Sequence, residues 1–216
     1  MIDASPIPCF SGHGLACVRG GRTVFAGLDF KLTGGGALLL LGPNGSGKSS
    51  LLRLMAGLLP AYAGHLTWNG QPVADDPQAH AERVHYVGHH DAVKGVLTAQ
   101  ENLGVWARLH DPATAAVQAR AALVRFGLGR LADVPGRMLS AGQKRRLNLA
   151  RLLAAPAPVW LLDEPTTALD QRSIANLQTV LADHRADGGL VVLSTHAEIA
   201  LPGATVLHMD QVGAGS

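Results

Sequence analysis

The amino-acid sequence predicts an α/β domain: a parallel sheet with helices on both faces. Three observations predict it. Short unbroken apolar runs, ALLLL (37–41), VWLLD (159–163) and LVVLS (190–194), read as strands buried on both sides. Stretches of helical periodicity separate these runs, and strands that alternate with helices pair in parallel. A glycine-rich turn, GPNGSGKS, follows the first run directly and leads into a helical pattern.

Taken in order, VFAGLDFKL (24–32) alternates apolar and polar side chains, as a half-buried strand does. ALLLL is the first buried strand, and LLRLMAGL (51–58) is the helix beyond its turn. HLTWNG (65–70) reads as a strand ending in an Asn-Gly turn, and VHYVG (84–88) as another short strand. Thr98, with Glu101 three residues on, forms a capping box for a helix to about Leu109. Asp111 and Pro112 are expected to start the next helix as N-cap and first residue. Residues 141–154 form a third helix, stopped by AAPAP. VWLLD is the second buried strand, 171–186 are helical, LVVLS is the third buried strand, and TVLHM (205–209) is expected to be a fourth. The middle, about 88–137, reads as a helical insert.

The totals exclude several classes. A net charge of +2 and 4% aromatic residues give no electrostatic or stacking surface for nucleic acid. Two cysteines, Cys9 and Cys17, make no disulfide framework and suit a reducing compartment. MIDASPIPCF has neither the basic start nor the apolar centre of a secretory signal. The longest apolar stretch, LLAAPAPVWLL (152–162), is too short to span a bilayer and contains two prolines. An apolar share of 47% is high enough to expect a partner surface.

Gly42, Pro43, Asn44, Gly45, Ser46, Gly47, Lys48 and Ser49 fit the strand–GxxxxGK[ST]–helix pattern, with Ser50 next in line. Glycines let the backbone curl until its N–H groups converge on phosphate oxygens. The helix that follows adds the partial positive charge of its N-terminus. Lys48 brings a cation to the β and γ phosphates, and the Ser49 hydroxyl can ligate Mg²⁺. Asp163 and Glu164 stand at the carboxyl end of a buried strand, where ligands sit in such sheets. Asp163 is suited to the Mg²⁺ hydration shell, and Glu164 to accepting a proton from an attacking water. Ser140 and Gln143 form a second capping box. Ala141 and Gly142 leave that helix end bare, and a bare helix N-terminus is an anion site.

LSAGQ resembles the LSGGQ signature of ATP-binding-cassette (ABC) ATPases, with alanine for one glycine. The order of motifs also matches that family: GPNGSGKS, LSAGQ, WLLDEP, ALD, STH, from about residue 15 to 209. The resemblance implies a P-loop NTPase of ABC type, with a parallel core sheet, an N-terminal antiparallel β part and a helical signature subdomain. It implies one domain over 1–216, with the helical part inserted at about 88–155. Two copies would meet head to tail around two ATP molecules. Ser140, Ala141, Gly142 and Gln143 of one copy would touch the γ-phosphate held by the other, and Asp170 would cross the interface. His196 would be the switch histidine beside the γ-phosphate. The family stacks adenine on an aromatic residue; here Arg19 takes that place, and arginine also stacks on ring faces. A glutamine usually leaves the strand that here ends at residue 88; in this chain His89 or His90 replaces it. A histidine there accepts a hydrogen bond only while neutral, so hydrolysis is expected to slow in acid.

Within the family the chain is most similar to the haem-exporter ATPases of cytochrome c maturation, in length, in the GH followed by VKGVLTAQENL, and in LSAGQKRRLNLARLL followed by LLDEPTTALD. That implies transmembrane permease partners, a homodimer of ATPase subunits, and a peripheral place on the cytoplasmic face of the inner membrane. Haem or haem-handling proteins would be met only indirectly, and nucleic acid not at all. A cassette for another cargo, or one acting on DNA or ribosomes, are the alternatives. His80 and His85, near the histidine pair, are expected on an ordinary polar surface rather than in a metal site.

Overall fold

A computed structural model describes residues 7–196 and 199–212; the first six of the ten N-terminal residues read as lacking a secretory signal lie outside them. Among the described residues, nine strands form two sheets. The first is antiparallel, in the order β2-β1-β4-β5, from β1 (Cys9–Arg19), β2 (Arg22–Thr33), β4 (Ala63–Trp68) and β5 (Gln71–Pro72). The second is parallel, in the order β6-β7-β8-β3-β9, from β3 (Ala37–Leu41), β6 (Val84–Val87), β7 (Val159–Asp163), β8 (Leu190–Ser194) and β9 (Thr205–His208). Six α-helices accompany them among the described residues: α1 (Lys48–Met55), α2 (Pro77–Arg83), α3 (Ala99–His110), α4 (Ala115–Arg125), α5 (Ala141–Ala154) and α6 (Gln171–Ala186).

The parallel sheet divides two cores. One is filled by α1, the inner faces of β1 and β2, and residues such as Leu38, Leu40, Leu161 and Val192. The other joins α3, α4, α5 and α6 to the opposite sides of the same strands, through Trp160, Leu162, Val191 and Leu193. β7 and β8 are buried at every position, which is why their sequences carry no polar alternation. This sandwiching puts the carboxyl ends of β3, β7 and β8 side by side, with Asp163 in register with Ser194.

Local signals hold where the chain supplies its own partners. Thr98 Oγ1 accepts from Glu101 N at 3.1 Å, and Thr98 N donates to the Glu101 carboxylate at 2.7 Å. Ser140 and Gln143 do the same at the start of α5. Asp111 and Pro112 do not start α4. Asp111 follows the last turn of α3, and its carboxylate takes Ala113 N and the Thr114 hydroxyl. That Asx turn occupies three residues, and the helix begins at Ala115. TVLHM is not a buried strand: β9 is the edge beside β3, and Val206 is 46% exposed.

His80 and His85 are not on the surface either. Each is buried, at 2% and 8% exposure. His80 Nε2 donates to Met55 O at 2.8 Å beneath Phe10, and His85 lies 6.0 Å from the Trp106 ring. The strand β1 and the helix α2 carry weak sequence signals. β1 is broken by register shifts at Gly12–Leu15 and Leu15–Val18, which spoil its alternation. No helix among the described residues is long and apolar enough to cross a membrane.

Candidate active site

The loop between β3 and α1 folds around its own lysine. Lys48 is buried, and its Nζ donates to Gly42 O at 2.6 Å and Pro43 O at 2.9 Å. Gly47, at φ 99°, precedes the helix, and a Cβ there would lie 2.7 Å from Val24 Cγ1. Only glycine meets both demands. Ser46 Oγ is buried with no hydrogen-bond partner among the described residues. A cleft of about 620 Å³ opens over the loop. Asn44, Gly45, Gly47, Lys48, Ser49 and Ser50 line it, and so do Arg19, His89, Asp163, Glu164, Thr167 and His196.

The acidic pair ends β7. Asp163 is 1% exposed, and its oxygens meet two neutral hydroxyls, Ser194 Oγ at 2.8 Å and the Tyr86 OH at 3.5 Å. It forms no ion pair among the described residues, and a buried carboxylate without a cation is costly. Such a group facing a phosphate loop suits a hard, oxygen-seeking cation, and Ser49 is one of the hydroxyl residues, with Ser50 and Thr167, that line the cleft with it. Glu164 takes φ 49°, a conformation sparse for a residue with a side chain. Its N–H is held by both the carbonyl and the hydroxyl of Ser194 at 3.1 Å. His196 N donates to Glu164 Oε2 at 3.3 Å, and its Nε2 lies 2.9 Å from Asn44 Oδ1. Glu164 Oε1 is 3.4 Å from the same ring nitrogen, at an angle too poor for a hydrogen bond. Lys48 Nζ, which can only donate, also lies 3.3 Å from this Nε2, so the ring nitrogen faces both a donor and the Asn44 oxygen.

The chain brings the phosphate loop, Arg19, His89, Asp163, Glu164 and His196 to one cleft. His90 does not line it; its ring stands edge-on to His89 at 5.5 Å, and both side chains are exposed. Nor do Ser140, Ala141, Gly142 and Gln143, which open α5 elsewhere on the surface. Gly142 approaches the ALD turn so closely that a Cβ would sit 2.8 Å from Ala168 O. Asp170, at the end of that turn, caps α6 by accepting from Ser173 N at 2.8 Å. Tyr86 and Thr167 lie outside the motifs, and Ser194 enters only as the first residue of STH. Pairing β7 with β8 puts Ser194 opposite Asp163, so strand register alone was enough to find that one.

The ABC transporter family profile matches residues 25–167. The chain belongs to the ABC transporter ATPase family. The "Cytochrome c biogenesis ATP-binding export protein CcmA" of Paramagnetospirillum magneticum is 69% identical over 204 residues, covering 94% of each chain. The protein of the same name in Rhodospirillum rubrum is 64% identical over 201 residues, covering 93% of this chain and 85% of its own. A solved ATP-binding subunit of an ABC transporter superposes with a TM-score of 0.81 at 23% identity, over 94% of this chain and 87% of its own, and shows the shared fold. This cassette is thus an ATP-binding ATPase subunit.

Proposed function

We propose that the chain is the ATP-hydrolysing subunit of an ABC exporter for c-type cytochrome biogenesis, powering haem export or release of haem from its chaperone. The observation that carries the hydrolytic reading is the single cleft shared by Lys48, Asp163, Glu164 and His196. The name of the relatives in two organisms, at 64% or more identity, supports the pathway.

In this reading the loop from Gly42 to Ser50 cradles the phosphates with its backbone N–H groups and the dipole of α1. Lys48 turns from its loop carbonyls to the β and γ oxygens. Ser49 and Asp163 would hold Mg²⁺, which when bound neutralises phosphate charge. Glu164 takes the proton of the attacking water through its free Oε1. His196 holds the other oxygen of that carboxylate through its backbone N–H, and its ring bonds Asn44, so it fixes Glu164 relative to the loop. His89 rather than His90 stands in the cleft position of the usual glutamine. Arg19 lies where the adenine would stack; a guanidinium offers a flat cation to either purine, so ATP is expected to be favoured over GTP by less than about ten-fold in kcat/KM. A hundred-fold preference measured on the purified chain would exclude that role.

The partners follow from the same reading. A second copy would present Ser140, Ala141, Gly142 and Gln143 to the γ-phosphate and Asp170 to the interface. The chain would act as one domain whose helical part, about 88–155, faces transmembrane permease subunits at the cytoplasmic side of the inner membrane. The deciding experiment is deletion of the gene. The strain is expected to lose holo c-type cytochromes, to regain them with the wild-type chain, and not with Lys48→Ala, whose nucleotide affinity should fall at least about a hundred-fold. Normal c-type cytochromes in the deletion strain would overturn the cargo assignment.

A further inference from the structure

Arg145 is the bulkiest fully buried side chain among the described residues, at 2% exposure. A guanidinium has five N–H donors and no acceptor, and here all five are used. Nε donates to Pro165 O at 3.2 Å, and Nη2 to Asp163 O at 2.9 Å and Glu164 O at 2.6 Å. Nη1 donates to Gly88 O at 2.9 Å and to Asp91 Oδ1 at 3.3 Å. Asn148 Nδ2 reaches the same Asp91 oxygen at 3.4 Å. This one cation on α5 therefore gathers three carbonyls at the end of β7 and two acceptors beyond the exit of β6. Asp91 is the one acidic partner it has among the described residues. A buried cation held mainly by carbonyls is expensive to keep, so tight packing alone does not account for it.

Glu164 needs such support. Its φ of 49° persists only where the surroundings over-determine it. Ser194 fixes its N–H, and Arg145 fixes its carbonyl and those of both neighbours. We infer that Arg145 is a positioning residue: its five-donor fork aims Glu164 and ties the histidine loop and the signature helix to the same point. The assignment rests on Glu164 accepting the proton of the attacking water. A lysine keeps the charge but has one nitrogen, which cannot span carbonyls on two elements.

The test compares Arg145→Lys, Arg145→Gln and Asp91→Ala in the purified full-length chain with ATP and Mg²⁺. The two Arg145 variants are expected to lose at least about ten-fold in kcat with KM for ATP within about two-fold, since a misplaced group costs rate rather than binding. Amide exchange should quicken at 88–91 and 163–165 and stay unchanged at 42–49. Uniformly faster exchange, or kcat lost only in proportion to folded protein, would reduce Arg145 to a structural residue. If Arg145→Gln does not fold, Asp91→Ala decides: it releases one of five bonds and should quicken exchange at 88–91 alone, and no change there overturns the inference. Glu164→Gln is run beside them. A wild-type rate in that variant removes the base reading only, and the exchange pattern then judges Arg145 independently.

Discussion

Glu164→Gln is expected to hydrolyse ATP about 10² to 10⁴ times more slowly than the wild-type chain while binding the nucleotide as tightly. The amide keeps the size of the carboxylate. Its oxygen can still accept from His196 N, the contact made at 3.3 Å by Oε2. What it loses is the ability to take a proton. The phosphate loop is untouched, because Lys48 and its carbonyl partners Gly42 and Pro43 do not contact Glu164. Binding and hydrolysis should therefore separate: unchanged affinity by calorimetry, a collapsed rate by phosphate release. A loss of about three-fold or less would mean that the proton goes elsewhere. The nearest alternative is His196, whose ring lies 3.4 Å from Glu164 Oε1. A double variant would then show it, with His196→Ala carrying the large effect.

The residues in that experiment were legible in the sequence because their roles are written in short contiguous stretches. A glycine loop between an apolar run and a helix is local information. So are the capping boxes at Thr98 and Ser140, which close within three residues, and so is an acidic pair directly after VWLLD. Illegible features depend on partners far along the chain. Arg145 sits in a charged run, QKRR, that reads as a solvated face, and its acceptors lie at 88–91 and 163–165. His80 and His85 look polar until α1 and Trp106 close over them. The exposure of β9 follows from its place in the sheet order, which no window of the sequence contains. His89 and His90 were indistinguishable by spacing, since one residue of register separates them. His89 lines the cleft and His90 does not, and the Gly88 carbonyl just before them is held by Arg145.

Acid is expected to begin destabilising the chain above the range in which its carboxylates protonate. Burial pushes the imidazoles of His85 and His184 down to about 4. His85 is also beside the Arg151 guanidinium, which opposes a second positive charge. His184 lies flat on the Trp160 indole at 3.7 Å, and its backbone hydrogen bonds and Asp187 only partly offset the desolvation. In the unfolded chain both rings titrate near 6.5. Between these values the unfolded state binds two protons that the folded state refuses, so stability rises with pH through the window and is complete above it. As pH falls from about 6.5 to about 4, each histidine removes at most about 3 kcal/mol. Together that is a large part of the 5–15 kcal/mol typical of a domain. The capping carboxylates Glu101, Asp111 and Asp170 are held below their ordinary values by their own hydrogen bonds. Their contributions are lost only at still lower pH, so the two effects separate. Urea midpoints at pH 7.5 and 5.0 measure the first. The midpoint should fall, and His184→Phe, which keeps a flat ring against Trp160, should flatten the dependence by about half. Equal midpoints at the two pH values would show that water reaches both rings in the folded chain.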